Sequence, residues 1–463
     1  MNAFLLIANW VAVVLIVLAR LRRRPAKMLD PAWALLAGYA INYCVRPTLF
    51  VFSPELSIIY TDYYAPEFLA RHFKEVLLFA MLGLLGFAAG DLQFGKIARW
   101  IGDRLPSLEM RAAAITTRYS VTAFVFLVLG GAGLLGFVQA VGWRGSFLLL
   151  LTGQQRDTFL EIILGHGYYT LLAQLSILGW TMICVKWIAF PKVRRGLRRW
   201  LIWMMRGLWF GFTLLIWVAF GERSSILAVL FIPLALYFTL RDFSSPEARR
   251  QRRKVIAVSL AVVLVGTLIA GPIGLLMKGR PVTLAGVVLM ATSAWDAFEL
   301  TAAALAYVPG YALLWGSSYV GDLFYTWLPR AMFPEKPLRY GAMVVQDVVI
   351  PELRDNLVAT FPTGILVEAY VNFWYFGVFL VPFVAAIACK AIYFRLCAGD
   401  WFWLVQIAFL FPNLASFRGL GGSAALLIMN VVILGLAILI CRGLGLLNYC
   451  AIRKAPAQAD IAS

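Results

Sequence analysis

The sequence predicts an all-α, polytopic integral membrane protein, and three observations predict it. The 463 residues are 62% hydrophobic and only 14% charged, whereas soluble domains average nearer half apolar and about a quarter charged. Mean hydropathy is +0.83. Apolar runs of about 20 residues, the length a helix needs to cross a bilayer, recur along the chain. One transmembrane domain over 1–463 accounts for them, with no repeat, low-complexity tract or separate soluble domain.

Hydropathy places spans at 3–19, 30–52, 73–92, 119–141, 162–189, 200–219, 224–240, 255–276, 363–388, 401–417 and 423–441, about eleven helices. The first run, "AFLLIANWVAVVLIVLA", has no basic residue before it and Arg20, Arg22, Arg23 and Arg24 after it. It reads as a retained helix with its N-terminus outside, not a cleaved signal. The second span carries Arg46 just before Pro47, and "GWRGSFLLLLTGQQRDTF" follows the fourth. "PKVRRGLRR" closes the fifth, "FGERSSIL" makes a tight turn between the sixth and seventh, and "RRQRRK" precedes the eighth. A long loop from about Met277 to Pro362 leads to the last three spans, the final pair joined by "SFRGLGGS". With the N-terminus outside, segments 20–28, 93–118, 186–206, 241–254, 390–395 and 442–454 fall inside. They hold about 28 of the 41 Lys and Arg, as the positive-inside rule requires. The odd number of spans puts the C-terminus inside and the 277–362 loop outside.

Residues 282–308 are also long enough to span, but Asp296 and Glu299 at their centre would cost a lipid-facing helix a few kcal/mol each. Spanning would also reverse the charge balance of everything downstream. An amphipathic or re-entrant helix on the outer face is the expected form.

The net charge of +18 comes as short clusters between apolar runs, which is topogenic patterning and not a nucleic-acid surface. Six cysteines without a pairing framework and only two histidines predict no structural disulfide and no metal site.

The outer face is where chemistry is expected, because an Arg at the membrane boundary needs an anionic partner or a wet cavity. Arg223, in "FGERSSIL", either offers a guanidinium fork to a pyrophosphate or pairs with Glu222. Arg280, in "LMKGRPV", is either a ligand contact or an interface anchor, and Arg418 sits among glycines that let a ligand approach backbone closely or merely make the turn. Arg46 snorkels or pairs internally. Asp296 and Glu299 share a helix face and either hold a hydroxyl as base or pair with a nearby Arg, the pairing being favoured. Asp322 and Glu368 either orient substrate or form helix-packing ion pairs. The loop aromatics, Trp295, Trp315, Tyr319, Phe324, Tyr325, Trp327, Phe333 and Tyr340, suit sugar stacking and equally suit an interfacial belt.

Taken in order, "GERSSILAVLFIPLALYF", "MKGRP", "WDAFE…YVPGYALLWGSSYVGDLFYTWLPRAMFPEKP", "FPTGILVEAYVNFWYFGVFLVPF" and "SFRGLGGS" resemble the Wzy-type O-antigen and oligosaccharide repeat unit polymerases, over about the C-terminal half. The resemblance implies a GT-C-type glycosyltransferase of the bacterial inner membrane. It would polymerise undecaprenyl pyrophosphate-linked oligosaccharide repeat units at the periplasmic face, with its N-terminus periplasmic and its C-terminus cytoplasmic. It further implies that Arg223, Arg280 and Arg418, and more weakly Arg144, meet the pyrophosphate, with Lys336 and Arg339 beside the anionic groups. Membrane lipids are partners, a chain-length regulator is left open as another, and nucleic acid is not expected. Fixed cations stabilise a departing pyrophosphate, so neither cofactor nor metal is needed. A base on the acceptor hydroxyl would help, with Glu299, Asp296 and Asp322 as candidates.

Two rival functions share the hydropathy. An O-antigen ligase would be expected to carry a histidine in the large outer loop, and none is there. A polyprenyl-linked oligosaccharide transporter would be expected to show internal repeats and broken helices near the midplane, which the sequence does not reveal. A nonenzymatic scaffold is the third reading.

Overall fold

The computed structural model describes residues 3–23, 30–52, 66–105, 117–142, 167–189, 197–219, 297–310, 313–326, 333–337, 340–351, 363–397, 400–415, 417 and 419–443, with isolated positions at 328 and between 229 and 257. Helix is the regular structure throughout them. In order these are α1 (Ala3–Arg23), α2 (Pro31–Ala40), a π-turn (Ile41–Val45) leading into α3 (Arg46–Phe52), α4 (Pro66–Gln93), α5 (Gly95–Arg104), α6 (Thr117–Val141), α7 (Gly167–Ala189) and α8 (Leu197–Ala219). Then follow α9 (Ala297–Tyr307), α10 (Ser317–Tyr325), α11 (Ala342–Val349), α12 (Ile365–Cys397), α13 (Trp401–Ala415) and α14 (Leu420–Gly443). Among the described residues five helical stretches are long and apolar enough to cross a membrane: α1, the continuous α2–α3 rod, α4, α6 and α12. The expected spans 224–240 and 255–276 lie largely outside the described residues.

Local chemistry sets the helix ends. Asp30 caps α2 by accepting the Ala32 amide at 3.1 Å, and Pro31 occupies the first turn, where its missing N–H costs nothing. Close packing comes from glycine. In α4, Gly86 and Gly90 lie one turn apart on the face that meets α12, where the Phe379 and Phe383 carbonyls occupy the space a side chain would need. The α6–α7 pair uses the same device in antiparallel sense: Gly130 faces Ser176, Gly133 faces Tyr169 and Leu172, and Gly179 faces Ala123.

The main departure from the hydropathy reading is α12. Hydropathy predicts a single span at 363–388. The helix is instead broken at Phe373 (φ −138°, ψ 17°) and Trp374 (φ 61°, ψ −155°), and its two arms fold back on each other. Leu366 packs on Gly83 of α4, Tyr370 and Tyr375 both meet Phe79, and Phe379 reaches Gly86. The first arm therefore runs antiparallel to α4 and the second parallel to it. Gly377 permits the reversal, since the Ala369 carbonyl fills the place of its side chain.

α9 is a buried helix. Ala297 through Ala304 are all buried, with Ala302, Ala303 and Ala304 letting neighbours approach closely. It begins part-way along the α2–α3 rod, where the Ala297 amide donates to Asn42 Oδ1 at 3.0 Å. It ends beside the start of α4, where Tyr307 stacks on Phe68. Residues 282–296 lie outside the described residues.

Buried charge gathers toward two opposite ends. At one, Arg20 bridges Asp30 and Asp91, stacks 4.7 Å from the Trp33 ring, and lies near Lys390, which donates to the Asp91 carbonyl. Toward the other lie Arg46, Glu299, Asp322 and Glu368.

Candidate functional site

The most unusual chemistry among the described residues is a carboxylate pair where α10, α11, α12 and α14 meet. Asp322, on α10, is 6% exposed, and Glu368, on the first arm of α12, is fully buried. Each carboxylate serves a neighbouring helix. Glu368 accepts the Leu420 amide at 2.6 Å and the Gly421 amide at 3.2 Å, capping α14 from another element. Asp322 accepts the Ala342 amide at the start of α11, and its Oδ1 fills the side-chain space of Gly341, a residue at φ 59°. A negative charge at a helix N-terminus is favoured by the orphan amides and the helix dipole.

The two acids also face each other. A Cβ on Gly421 would lie 2.6 Å from both Asp322 Oδ2 and Glu368 Oε1, so these oxygens are within about 5 Å, a range where like charges repel strongly in a dry site. Neither acid is within ion-pair distance of a cation among the described residues. Asp322 Oδ2 and the nearby Tyr319 hydroxyl are buried without a hydrogen-bond partner. Burial pushes the Asp322 carboxyl up to about 6, against the opposing effect of the Ala342 amide.

Strained backbone surrounds this pair. Trp315 (φ 49°), Trp374 (φ 61°) and Phe417 (φ 58°) are the non-glycine residues of positive φ among the described residues, and bulky side chains rarely adopt that region. Trp315 is held there because its amide donates to the Asn372 carbonyl at 3.1 Å, closing the end of the first α12 arm. Asn372 completes the joint, accepting the Gly316 amide at 3.0 Å and donating to Ser318 at 2.6 Å. Phe417 offers its carbonyl to the Ile365 amide at 3.2 Å. The N-termini of α9, α12 and α14 thus converge, and Asn42, Phe417 and Glu368 each satisfy one of them.

The chain matches no family model, no curated protein and no solved structure.

Of the residues expected to carry chemistry, Asp322 sits in the pair. Glu299 does not: it forms a buried ion pair with Arg46 that ties α9 to α3. Lys336 closes a turn in the proline-rich segment, donating to the Leu328 carbonyl at 3.1 Å and resting 4.8 Å from the Tyr340 ring. Asp296, Arg144, Arg223, Arg280, Arg339 and Arg418 lie outside the described residues. Sequence alone presents Glu368 only as a packing or orienting acid. Its capping of α14 has no sequence signature beyond the glycines of "RGLGGS", because its partners are backbone amides.

Proposed function

We propose that the protein is a metal-independent membrane glycosyltransferase of the Wzy polymerase type. It joins undecaprenyl pyrophosphate-linked oligosaccharide repeat units at the periplasmic face of the bacterial inner membrane, with about eleven spans in a GT-C-like arrangement. The observation that carries this reading is Asp322: a buried carboxylate on α10 with one oxygen unclaimed, raised toward the pH at which a base on an acceptor hydroxyl works best. Glu299 is the weaker candidate because Arg46 already holds it. Arg223, Arg280 and Arg418, with Arg144, Lys336 and Arg339, supply the cations that such a reaction needs against its leaving pyrophosphate.

The test is polymerisation of undecaprenyl pyrophosphate-linked repeat units by the purified protein, with and without EDTA. A ladder that survives chelation and falls about 100-fold or more in Asp322→Asn supports the reading. Transfer onto lipid A core instead would identify a ligase. One observation favours a second reading, a polyprenyl-linked oligosaccharide transporter: α12 is broken and folded back within the bundle, as transporter helices are at substrate sites. Formation of neither product would favour it.

A further inference from the structure

We propose that Asp322 and Glu368 form a single-proton site, holding one proton between them at neutral pH so that α10, α12 and α14 meet around one negative charge instead of two. The geometry supplies the argument. Three amides reach the pair, from Leu420 and Gly421 onto Glu368 and from Ala342 onto Asp322, and they approach from the helix-capping sides. Asp322 Oδ2 is left with no donor, and it faces Glu368 Oε1 across the bare Cα of Gly421. A buried acceptor without a donor is costly, and two buried anions at this separation are costlier. A proton on either carboxyl removes the like-charge penalty, as in other carboxylate dyads.

No other described group takes that role. Tyr319 lies one turn before Asp322 on the same helix, and its hydroxyl has no partner. On the adjoining elements Arg46 and Glu299 are committed to each other, and Lys336 is turned onto Leu328 and Tyr340. Asp347, on α11, adds a further acid and no cation. The described part of α14 brings no ionisable side chain to its N-terminal turn, which is Leu420, Gly421, Gly422 and Ser423. The site is independent of whether the chain transfers sugars or transports them. In either case binding of the proton governs the charge presented at the junction of the outer loop with the bundle.

Infrared difference spectroscopy of the full-length protein in lipid nanodiscs tests this, read as the C=O stretch of protonated carboxyl groups while pH is raised from about 5 to about 9, the range a perturbed carboxylate pair spans. The wild type should show a buried carboxyl band still present at neutral pH. Its absence there would overturn the proposal without recourse to any variant. Asp322→Asn and Glu368→Gln each keep shape and an acceptor oxygen for the capping amides while removing the like charge. Each should move the midpoint of the band's titration down by about one pH unit or more. A midpoint that stays in place in either variant would overturn the proposal, since two independent acids would titrate without regard to each other.

Discussion

Asp322 makes a pH-dependent contribution to stability whose sign follows from its position. In the unfolded chain an aspartyl group releases its proton near pH 4, whereas in the fold burial holds it to about 6. Between those values the folded state binds more protons, so stability is greatest below about pH 4 and is lost as pH rises through about 6. Asp322→Asn removes that loss. It should raise the thermal midpoint at pH 8 by the equivalent of up to about 3 kcal/mol and change it little at pH 4. A midpoint raised equally at both values would trace the effect to packing and not to charge. The Arg46–Glu299 pair behaves differently, because it is buried and mutually compensated. Glu299→Gln leaves the guanidinium without its carboxylate and should cost about 3 kcal/mol or more. The double change Arg46→Met with Glu299→Leu should recover most of that loss. Denaturation of the single and double variants in detergent reads the coupling directly.

At the scale of elements, glycine spacing decides which helices lie close. Gly86 abuts the Phe379 carbonyl of α12, so Gly86→Ala should destabilise the folded protein by about 1–3 kcal/mol through overpacking. Gly207, on α8, has open space where a Cβ would lie, with nothing within 4 Å, so Gly207→Ala should be neutral or stabilising by about 0.5–1 kcal/mol. Thermal unfolding of the two variants side by side checks the pair. The contrast also shows what can be read from sequence. The spans at 3–19, 30–52, 73–92 and 119–141 correspond to α1, α2–α3, α4 and α6 because length and apolarity alone define a helix in a bilayer. The break in α12 is hidden for the same reason, since 363–388 is apolar on both sides of Phe373 and Trp374. What breaks it is tertiary: the Leu314 and Trp315 amides cap the first arm, and Gly377 lets the second pass alongside. Asp322 can be singled out as an isolated acid in a loop, but its pairing with Glu368 joins residues on separate elements, and that no local pattern encodes.

For the whole molecule the decisive quantity is orientation. Arg20, Lys390 and Arg395 cluster at one end of the bundle, where Arg395 donates to the Leu105 carbonyl at 2.6 Å, and the carboxylate pair lies toward the other. The positive-inside rule assigns the basic end to the cytoplasm, which would turn the pair and the proline-rich turn around Lys336 outward. Two positions report this in a single experiment. Cys397, exposed at the end of α12, belongs to the basic end, while Glu335, exposed in the turn, belongs to the other. Cys44, Cys184 and Cys389 are buried and should stay unreactive. With Cys441 and Cys450 replaced by serine, an impermeant thiol reagent added from the periplasmic side should label Glu335→Cys in intact inner membrane and should reach Cys397 only after permeabilisation. The reverse pattern would invert the molecule, place Asp322 on the cytoplasmic side and remove the ground for a periplasmic polymerase. Labelling of both positions before permeabilisation would put the proline-rich turn and the C-terminal end of α12 on one side of the membrane. Its second arm would then not span, and the folded-back helix would have to be re-read as a re-entrant hairpin.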